Sequence, residues 1–359
     1  MDANTVAVDL AKSVFQLAVT DSNWRVVETA RLTRTQFERW FANRAIGLVV
    51  MEACGSSHHW ARWLNALGIE VRLLPAQYVR AYVRRNKTDA TDAAALLEAA
   101  RSADLTPVRV KSIEQQALQG LHRIRSLWMS TRTSRINALR GFCREFGIAI
   151  PVGARTGLEA LGRVLADPRS AVPALIRHSA SMLLEEIRLL EARVAQVERE
   201  LTQAARHSPA CTLLLTVPGI GLLNATAIVA ATSGDVTHFQ DARHFASWFG
   251  ITPREHSSGG TRHLGRISKR GDRYLRMLLT HAARSVLRAA TVAREKGKVL
   301  TGVREWALAV QARSNHNKAT CALANKLARI CYATLRDHEV FDEAAAARKV
   351  QRQTFVMPA

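Results

Sequence analysis

Asp89 and Asp92 stand three residues apart in the run Arg84-Arg85-Asn86-Lys87-Thr88-Asp89-Ala90-Thr91-Asp92. On a helix that spacing puts both carboxylates on one face, one turn apart. Like charges so placed repel by roughly 0.2–0.5 kcal/mol on an exposed helix. Arg85 and Lys87 offset only part of that repulsion, and a divalent cation would reverse it. Two further acids end apolar strands: Asp9 closes Val6-Ala7-Val8-Asp9, and Glu52 closes Gly47-Leu48-Val49-Val50-Met51-Glu52. In a mixed sheet such ends can meet at one edge. Four converging carboxylates stay ionised only with cations among them, and a hard cation such as Mg2+ takes oxygen ligands. Two Mg2+ ions about 3.5–4 Å apart can clamp the attacking and leaving oxygens of a phosphodiester displacement. Each acid taken singly reads as a helix cap or a strand end; the set is what suggests a metal site.

The rest of the chain supplies the substrate class. Its 359 residues carry 51 Lys and Arg against 30 acids, a formal charge of +21, which is a footprint of polyphosphate partners. An acidic metal site in so basic a chain points to cutting or joining of nucleic acid. A hydrophobic content of 48% is enough for ordinary cores and excludes wholesale disorder. The five cysteines form no C-x-x-C pair, which argues against a disulfide framework or zinc site and fits a reducing cytoplasm. Asp2 and Asp9 interrupt the apolar N-terminus, so no signal peptide is read there. Pro209 to Gly234 is uncharged and long enough to span a bilayer, but Pro218-Gly219-Ile220-Gly221 breaks it. It reads as two short buried helices joined by a turn, and no membrane partner is expected.

The elements that position the acids follow from periodicity. Strands are expected at Val6–Asp9, Val14–Val19, Val26–Arg31, Gly47–Glu52 and Ile69–Leu74, and helices at Thr33–Asn43, Ser57–Leu67 and Thr88–Ala100. That order implies a mixed sheet with helices packed on it. After Pro107 the strands disappear. Ile113 to Phe146 reads as an arginine-rich helix, and Leu183, Ile187, Leu190, Val194, Val197 and Leu201 form a coiled-coil seam. Its partner could lie in the same chain or in another. Arg123, Arg125, Arg132, Arg135, Arg140 and Arg144 are dense enough to favour backbone contacts to nucleic acid. From Leu213 onward the chain reads as helical throughout, with an irregular Gly-rich insert at Ser257–Gly260. The expected division is an α/β domain at 1–110, a helical coiled-coil connector at 111–205, a mainly α C-terminal domain at 206–335 and a basic tail at 336–359.

His58-His59 and the pair Trp60 and Trp63 are read as structural, since adjacent histidines face different ways and tryptophans at this spacing usually serve a core. Val217-Pro218-Gly219-Ile220-Gly221 looks like a helix-hairpin-helix turn, in which Gly219 and Gly221 would let backbone N–H groups approach a phosphate. By itself the motif is weak, and an ordinary helix-joining turn is the better reading of it.

Val8-Asp9-Leu10-Ala11-Lys12, Met51-Glu52-Ala53 and Lys87-Thr88-Asp89-Ala90-Thr91-Asp92-Ala93 resemble the DEDD motifs of the insertion-sequence one-ten transposases, a group that includes the Piv-type DNA invertases. Phe249-Gly250-Ile251-Thr252-Pro253-Arg254-Glu255-His256-Ser257-Ser258-Gly259-Gly260 and Leu264-Gly265-Arg266-Ile267-Ser268-Lys269-Arg270-Gly271-Asp272 resemble their C-terminal signature. Together these extend the resemblance over most of residues 5–335. It implies a RuvC-like, RNase H-like fold for the first domain and a serine nucleophile in the Ser-Gly-Gly loop, where Ser258 is the matching position. It further implies site-specific recombination of a mobile element through a phosphoserine intermediate, with Mg2+ on Asp9, Glu52, Asp89 and Asp92. The implied partners are donor and target DNA, a structured noncoding guide ("bridge") RNA and further copies of the chain, as a homodimer or homotetramer. From the residues alone Ser257 stays open beside Ser258, and the loop offers no adjacent base. Lys87, Arg254, Arg262, Arg266, Lys269 and Arg270 are the expected phosphate contacts. Two rival readings are a metal-dependent junction endonuclease without a serine nucleophile, and a non-catalytic architectural protein.

Overall fold

The computed structural model describes residues 4–82, 89–102 and 105–344, with no account of the side chains at 4 and 89–91. It resolves into two compact units, Met1–Ile113 and Glu114–Ala359. In the first, β1 (Asn4–Leu10), β2 (Val14–Thr20), β3 (Val26–Thr33), β4 (Ile46–Glu52) and β5 (Glu70–Leu74) form one sheet in the order β3-β2-β1-β4-β5. β2 runs antiparallel to β1 and β3, whereas β1, β4 and β5 are mutually parallel. The mixed sheet expected from the sequence is present, and each expected strand lies within a residue or two of its range.

Strand alternation splits the side chains between two faces. Val6, Val8, Phe15, Leu17, Val49 and Met51 face a core completed by α1 (Arg34–Trp40) and α2 (Ser57–Ala66). Phe37 of α1 stands edge-on to Phe15 and Trp60, with ring centroids 5.0 and 5.1 Å apart. Trp60 and Trp63 are thus core residues, as read. Thr33 caps α1 reciprocally with Gln36. His58 is buried, its Nδ1 accepts the Lys111 N–H at 3.2 Å, and burial pushes its pKa down to about 4. A short α3 (Ala76–Val79) follows β5. The opposite face of the sheet carries small residues, Ala7, Ala18 and Val50, and α4 (Asp89–Arg101) packs there through Ala93, Leu96 and Leu97.

The second unit is mainly helical. α5 (Ile113–Glu145), α6 (Ala154–Ala166) and α7 (Ala174–Arg206) share a core of Ile136, Leu139, Leu161, Leu165, Leu184 and Ile187. α5 and α7 pair antiparallel within the chain. Arg125 bonds Glu198 at 2.8 Å, Arg135 bonds Glu186 at 2.8 Å, and Arg132 is held by Glu191 between them. Arg140 donates to the carbonyls of Pro151 and Gly153. Four of the six arginines read as a nucleic-acid face are therefore engaged by the fold itself. Their partners lie far along the chain, which is why helical spacing could not reveal them. The seam of α7 is buried from Ile187 to Leu201 as read, but Leu184 takes the buried place expected of Leu183.

α8 (Pro209–Leu215), α9 (Leu222–Thr232), α10 (Ala242–Trp248), α11 (Arg273–Glu295), α12 (Gly302–Ala312) and α13 (His316–Asp337) complete this unit around Leu214, Phe245, Phe249, Leu279, Leu287 and Leu327. Among the described residues no helix is long and apolar enough to cross a membrane. The part of the expected basic tail from residue 345 onward lies outside the described residues. One departure from the all-helical reading is a two-stranded antiparallel hairpin, β6 (Pro253–Glu255) and β7 (Leu264–Ile267). Both strands are short and mostly exposed, so no apolar alternation announces them.

A buried polar chain ties three of these helices together. The Thr226 hydroxyl donates to Leu222 O at 2.7 Å, leaving its oxygen to accept from His122 Nε2 at 3.0 Å. That fixes the imidazole tautomer, so Nδ1 accepts from the Tyr274 hydroxyl at 3.0 Å. Burial, and secondarily the Arg125 charge, push the His122 pKa down to about 4. An unfolded histidine binds its proton near pH 6.5. Between about pH 6.5 and 4 the unfolded chain therefore holds more protons, and stability falls as pH falls. Calorimetric melts should show Tm declining across that window, with a shallower decline in His122→Gln than in the parent. An equal slope in the two proteins would remove His122 from the account.

Candidate active site

The parallel register of β1 and β4 pairs Val8 with Met51. Asp9 and Glu52 are the next residue on each strand, so they lie on neighbouring strands about 4.8 Å apart and on the same face. That face is the one carrying Ala7 and Val50, against which α4 packs. Both side chains are half-buried. α4 opens at Asp89, and Asp92 is half-buried in its first turn, immediately before the buried Ala93. The last residues of α4, Ala100 and Arg101, line a cavity with Trp24. Trp24 belongs to the β2–β3 turn, at the edge where β1 begins. The helix start with Asp92 is thus directed toward the edge where β1 and β4 end. Asp9 and Glu52 share one face of the sheet, and the helix turn that carries Asp92 packs over the same face toward the same edge.

This all-oxygen donor set suits a hard cation. Among the described residues, however, no three His, Cys, Asp or Glu side chains stand close enough together to hold a metal ion. The Asp89 side chain and the whole of Lys87 lie outside the described residues.

The serine loop is more ordered than an irregular insert. Ser258 and Thr261 exchange backbone hydrogen bonds, Ser258 N to Thr261 O at 3.3 Å and Thr261 N to Ser258 O at 3.1 Å. Gly259 and Gly260 between them have φ of +58° and +81°. Positive φ at both central residues is the signature of the tight turn that matches strand twist, and glycine takes it without steric cost. The two serines differ. The Ser257 hydroxyl donates to Glu255 Oε1 at 2.7 Å and accepts the His263 N–H at 3.2 Å. Ser258 is exposed at the turn, and among the described residues its hydroxyl has no hydrogen-bond partner.

Glu255 is the residue that sequence reasoning missed. Its position two residues before Ser257, facing the same way along the strand, was the available signal. The Ser257 hydrogen bond, reinforced by Arg262 at 3.2 Å, holds its carboxyl below the usual carboxylate range. Arg262 is therefore engaged within the hairpin, as is Arg254, which donates to Ser268 O at 3.2 Å. Arg266, Lys269 and Arg270 are exposed.

α8 and α9 are joined by a tight turn at Pro218-Gly219-Ile220-Gly221. Gly219 has φ +82° and presses on α11, where a Cβ would collide with Val286. Gly221 is exposed at the start of α9, which has no side-chain cap. The positive φ and close packing of Gly219 are explained by the fold. Gly221 leaves the first N–H groups of α9 open.

Comparison with known proteins finds two family matches along the chain. Residues 6–147 match the model of a DEDD transposase domain, and residues 211–298 match "Transposase IS116/IS110/IS902 family". A probable family 20 transposase of Pseudomonas aeruginosa is 42% identical, over 93% of this chain and 97% of that protein. The transposase for insertion sequence element IS1111A of Coxiella burnetii is 36% identical, over 95% and 92%. A putative transposase of Sinorhizobium fredii is 33% identical, over 94% and 86%. The chain belongs to the IS116/IS110/IS902 transposase family, and its DEDD domain points to a divalent metal.

The hairpin is anchored where two backbones cross. A Cβ on Gly250 would collide with Arg270 O, and one on Gly271 with Trp248 O. Lys269 N donates to Gly250 O at 3.0 Å and Ser268 N to Thr252 O at 2.8 Å. Gly271→Ala should therefore cost about 2 kcal/mol or more. In a unit of this size that lowers Tm by about 4–8 °C. Gly265→Ala, whose Cβ meets only ordinary contacts starting at 3.7 Å, should leave Tm within about 1 °C. Calorimetry on the two variants checks the anchor; equal melting temperatures would refute it.

Proposed function

We propose that this chain is the recombinase of a mobile element, cutting and rejoining DNA at specific sites with Ser258 as nucleophile. The observation that carries the reading is the contrast at the hairpin tip: Ser258 is exposed with an unengaged hydroxyl, whereas Ser257 is held by Glu255 and His263. The Ser258 Oγ attacks a backbone phosphorus. The Oγ–P bond forms, the P–O3′ bond breaks, and the 3′-oxygen leaves as a hydroxyl after taking a proton. Attack on the phosphoserine by a 3′-hydroxyl from another end reverses these bonds and conserves their energy. Arg266, Lys269 and Arg270 stabilise the charge that grows on the phosphate oxygens, and Arg254 and Arg262 keep the hairpin rigid while adding positive potential.

Asp9, Glu52, Asp89 and Asp92 would hold Mg2+ on an RuvC-like domain. Bound there, it supplies Lewis-acid polarisation of the phosphate and lowers the pKa of a coordinated hydroxyl. Because acids and serine belong to separate units, we propose a composite site in a homodimer or homotetramer. Lys87, Gly219 and Gly221 are assigned to nucleic-acid backbone contacts, a structured noncoding guide RNA to the choice of site, and the cytoplasm, on DNA, to the location. The chain divides functionally into residues 1–110, 111–205, 206–335 and a basic tail.

Trapping tests the serine. Wild-type protein with labelled element-end DNA and Mg2+, denatured and run on a gel, should yield a covalent protein–DNA band. Ser258→Ala should abolish the band and Ser257→Ala should keep it; recombination without any band would rule the mechanism out. For the acids, the double change Asp89→Asn and Asp92→Asn should reduce strand cleavage by at least about a hundredfold, in line with removal of a principal electrostatic element. DNA binding measured by gel shift should persist. Undiminished cleavage would remove the metal assignment, and a wild type that binds but never cleaves would favour an architectural role.

A further inference from the structure

A cavity of about 570 Å3 opens on the carboxylate-bearing face of the first unit. Its lining includes Trp24, Arg72, Leu74, Arg101, Ser102 and Leu105. Arg72 and Leu74 are the register partners of Val50 and Glu52, so the cavity runs along β5 beside β4 and reaches Trp24 and the end of α4. An indole, two guanidinium groups and a hydroxyl around an apolar floor are the groups that recognise a nucleotide. The ring stacks on the base, and arginine takes the phosphate.

The backbone at Trp24 strengthens this reading. Among the described residues the non-glycine residues with positive φ are Trp24, Asn43, Ser233, Lys269 and His338. Ser233 and His338 cap the ends of α9 and α13, and Asn43 closely follows α1, where left-handed residues are ordinary. Lys269 lies at the anchor of the serine hairpin. Trp24, at φ +63°, occupies the left-handed position of the hairpin loop between β2 and β3, a place usually given to glycine or asparagine. Asp21 enforces the turn, its Oδ1 accepting from Asn23 N at 2.9 Å and Arg25 N at 2.8 Å. The loop thus bears a bulky residue where a small one would be less strained, and that residue lines the cavity.

We propose that this cavity holds one unpaired nucleotide of a nucleic-acid strand, its base on Trp24 and its phosphate between Arg72 and Arg101. The proposal rests on the nucleic-acid part of the functional reading and not on the serine chemistry. Both arginines already have acidic neighbours, Arg72 with Glu70 at 2.8 Å and Arg101 with Glu98 at 3.4 Å. All four side chains are substantially exposed, and such pairs contribute little, so a phosphate can recruit the guanidinium groups. DNA and RNA share this chemistry.

The test uses full-length protein and fluorescence anisotropy with four probes: short oligothymidylate, oligouridylate, and an abasic strand of equal length and sugar type for each. Wild-type protein should prefer the base-bearing strand over its abasic counterpart by about five- to 150-fold in at least one sugar series. The series that shows the preference identifies the strand. Trp24→Ala should bring the ratio close to one, and Trp24→Phe should restore most of it. Arg72→Ala and Arg101→Ala should weaken binding to both strands of the pair and reduce the salt slope by about one each. Loss in Trp24→Ala without recovery in Trp24→Phe would mean a packing role and overturn the proposal. So would a wild-type ratio near one in both series, or a ratio that Trp24→Ala leaves unchanged. Trapping of the Ser258 adduct on the same preparations separates the two readings, since an adduct with an unmoved ratio defeats the cavity alone.

Discussion

Two parallel strands in register, β1 and β4, put Asp9 beside Glu52, and the first unit is organised around the consequence. Neighbouring carboxylates on one face of a sheet cannot be packed under apolar side chains without a large desolvation cost. They therefore lie at the strand ends, half-buried, while Val8 and Met51, one residue back, go to the opposite core. Small side chains at the contact, Ala7 and Ala18 on the carboxylate face and Ala93 on α4, let the helix approach the sheet closely. A helix carrying an acid in its first turn then needs only to point that turn at the strand ends. Bulkier residues at those three positions would lift the helix and its acid away from the sheet, with no carboxylate altered.

Charge is distributed on the same logic in the second unit. A net charge of +21 suggests a surface covered in arginine, yet much of the arginine on α5 faces α7. Arg125 and Arg132 are the more buried partners of their pairs, with 17% and 15% of the side chain exposed against about 40% for each glutamate. Removing one of these glutamates would leave a largely buried guanidinium with its charge uncompensated, which is the costly direction. Around the hairpin Arg266, Lys269 and Arg270 are exposed and available to a phosphate.

What could be read from the sequence follows how local each signal is. The five strands and the opening of α4 near Asp89 depend on neighbours within a few residues, and all were legible. The resemblance of the DEDD and Ser-Gly-Gly motifs, borne out at family level by the relatives, supplied the class of protein. Neither α6 nor the β6–β7 hairpin was found. The hairpin's strands of three and four residues bury almost nothing, so they carry no periodic pattern. The roles of Arg125, Arg132 and Arg135 depend on glutamates more than fifty residues away. Ser257 and Ser258 could not be separated by composition, because what separates them is which hydroxyl Glu255 can reach.

That reach also bears on how a serine would be activated. Glu255 is the one carboxylate hydrogen-bonded within the hairpin, and it is a poor proton acceptor for Ser258. It already accepts from Ser257, Arg262 lies against it, and both stabilise its ionised form. A carboxylate with a lowered pKa has less driving force to take a proton, and this one orients a neighbouring residue. The hairpin therefore supplies rigidity and exposure without activation. On the proposed mechanism, Ser258 becomes nucleophilic only when a phosphate, and the groups that accompany it, arrive from outside the hairpin. Such a division has a chemical advantage for an enzyme that must join as many strands as it cuts. A hydroxyl left unactivated between encounters does not attack stray phosphodiesters, and a phosphoserine without a base beside it is protected from water until the next strand end is in place.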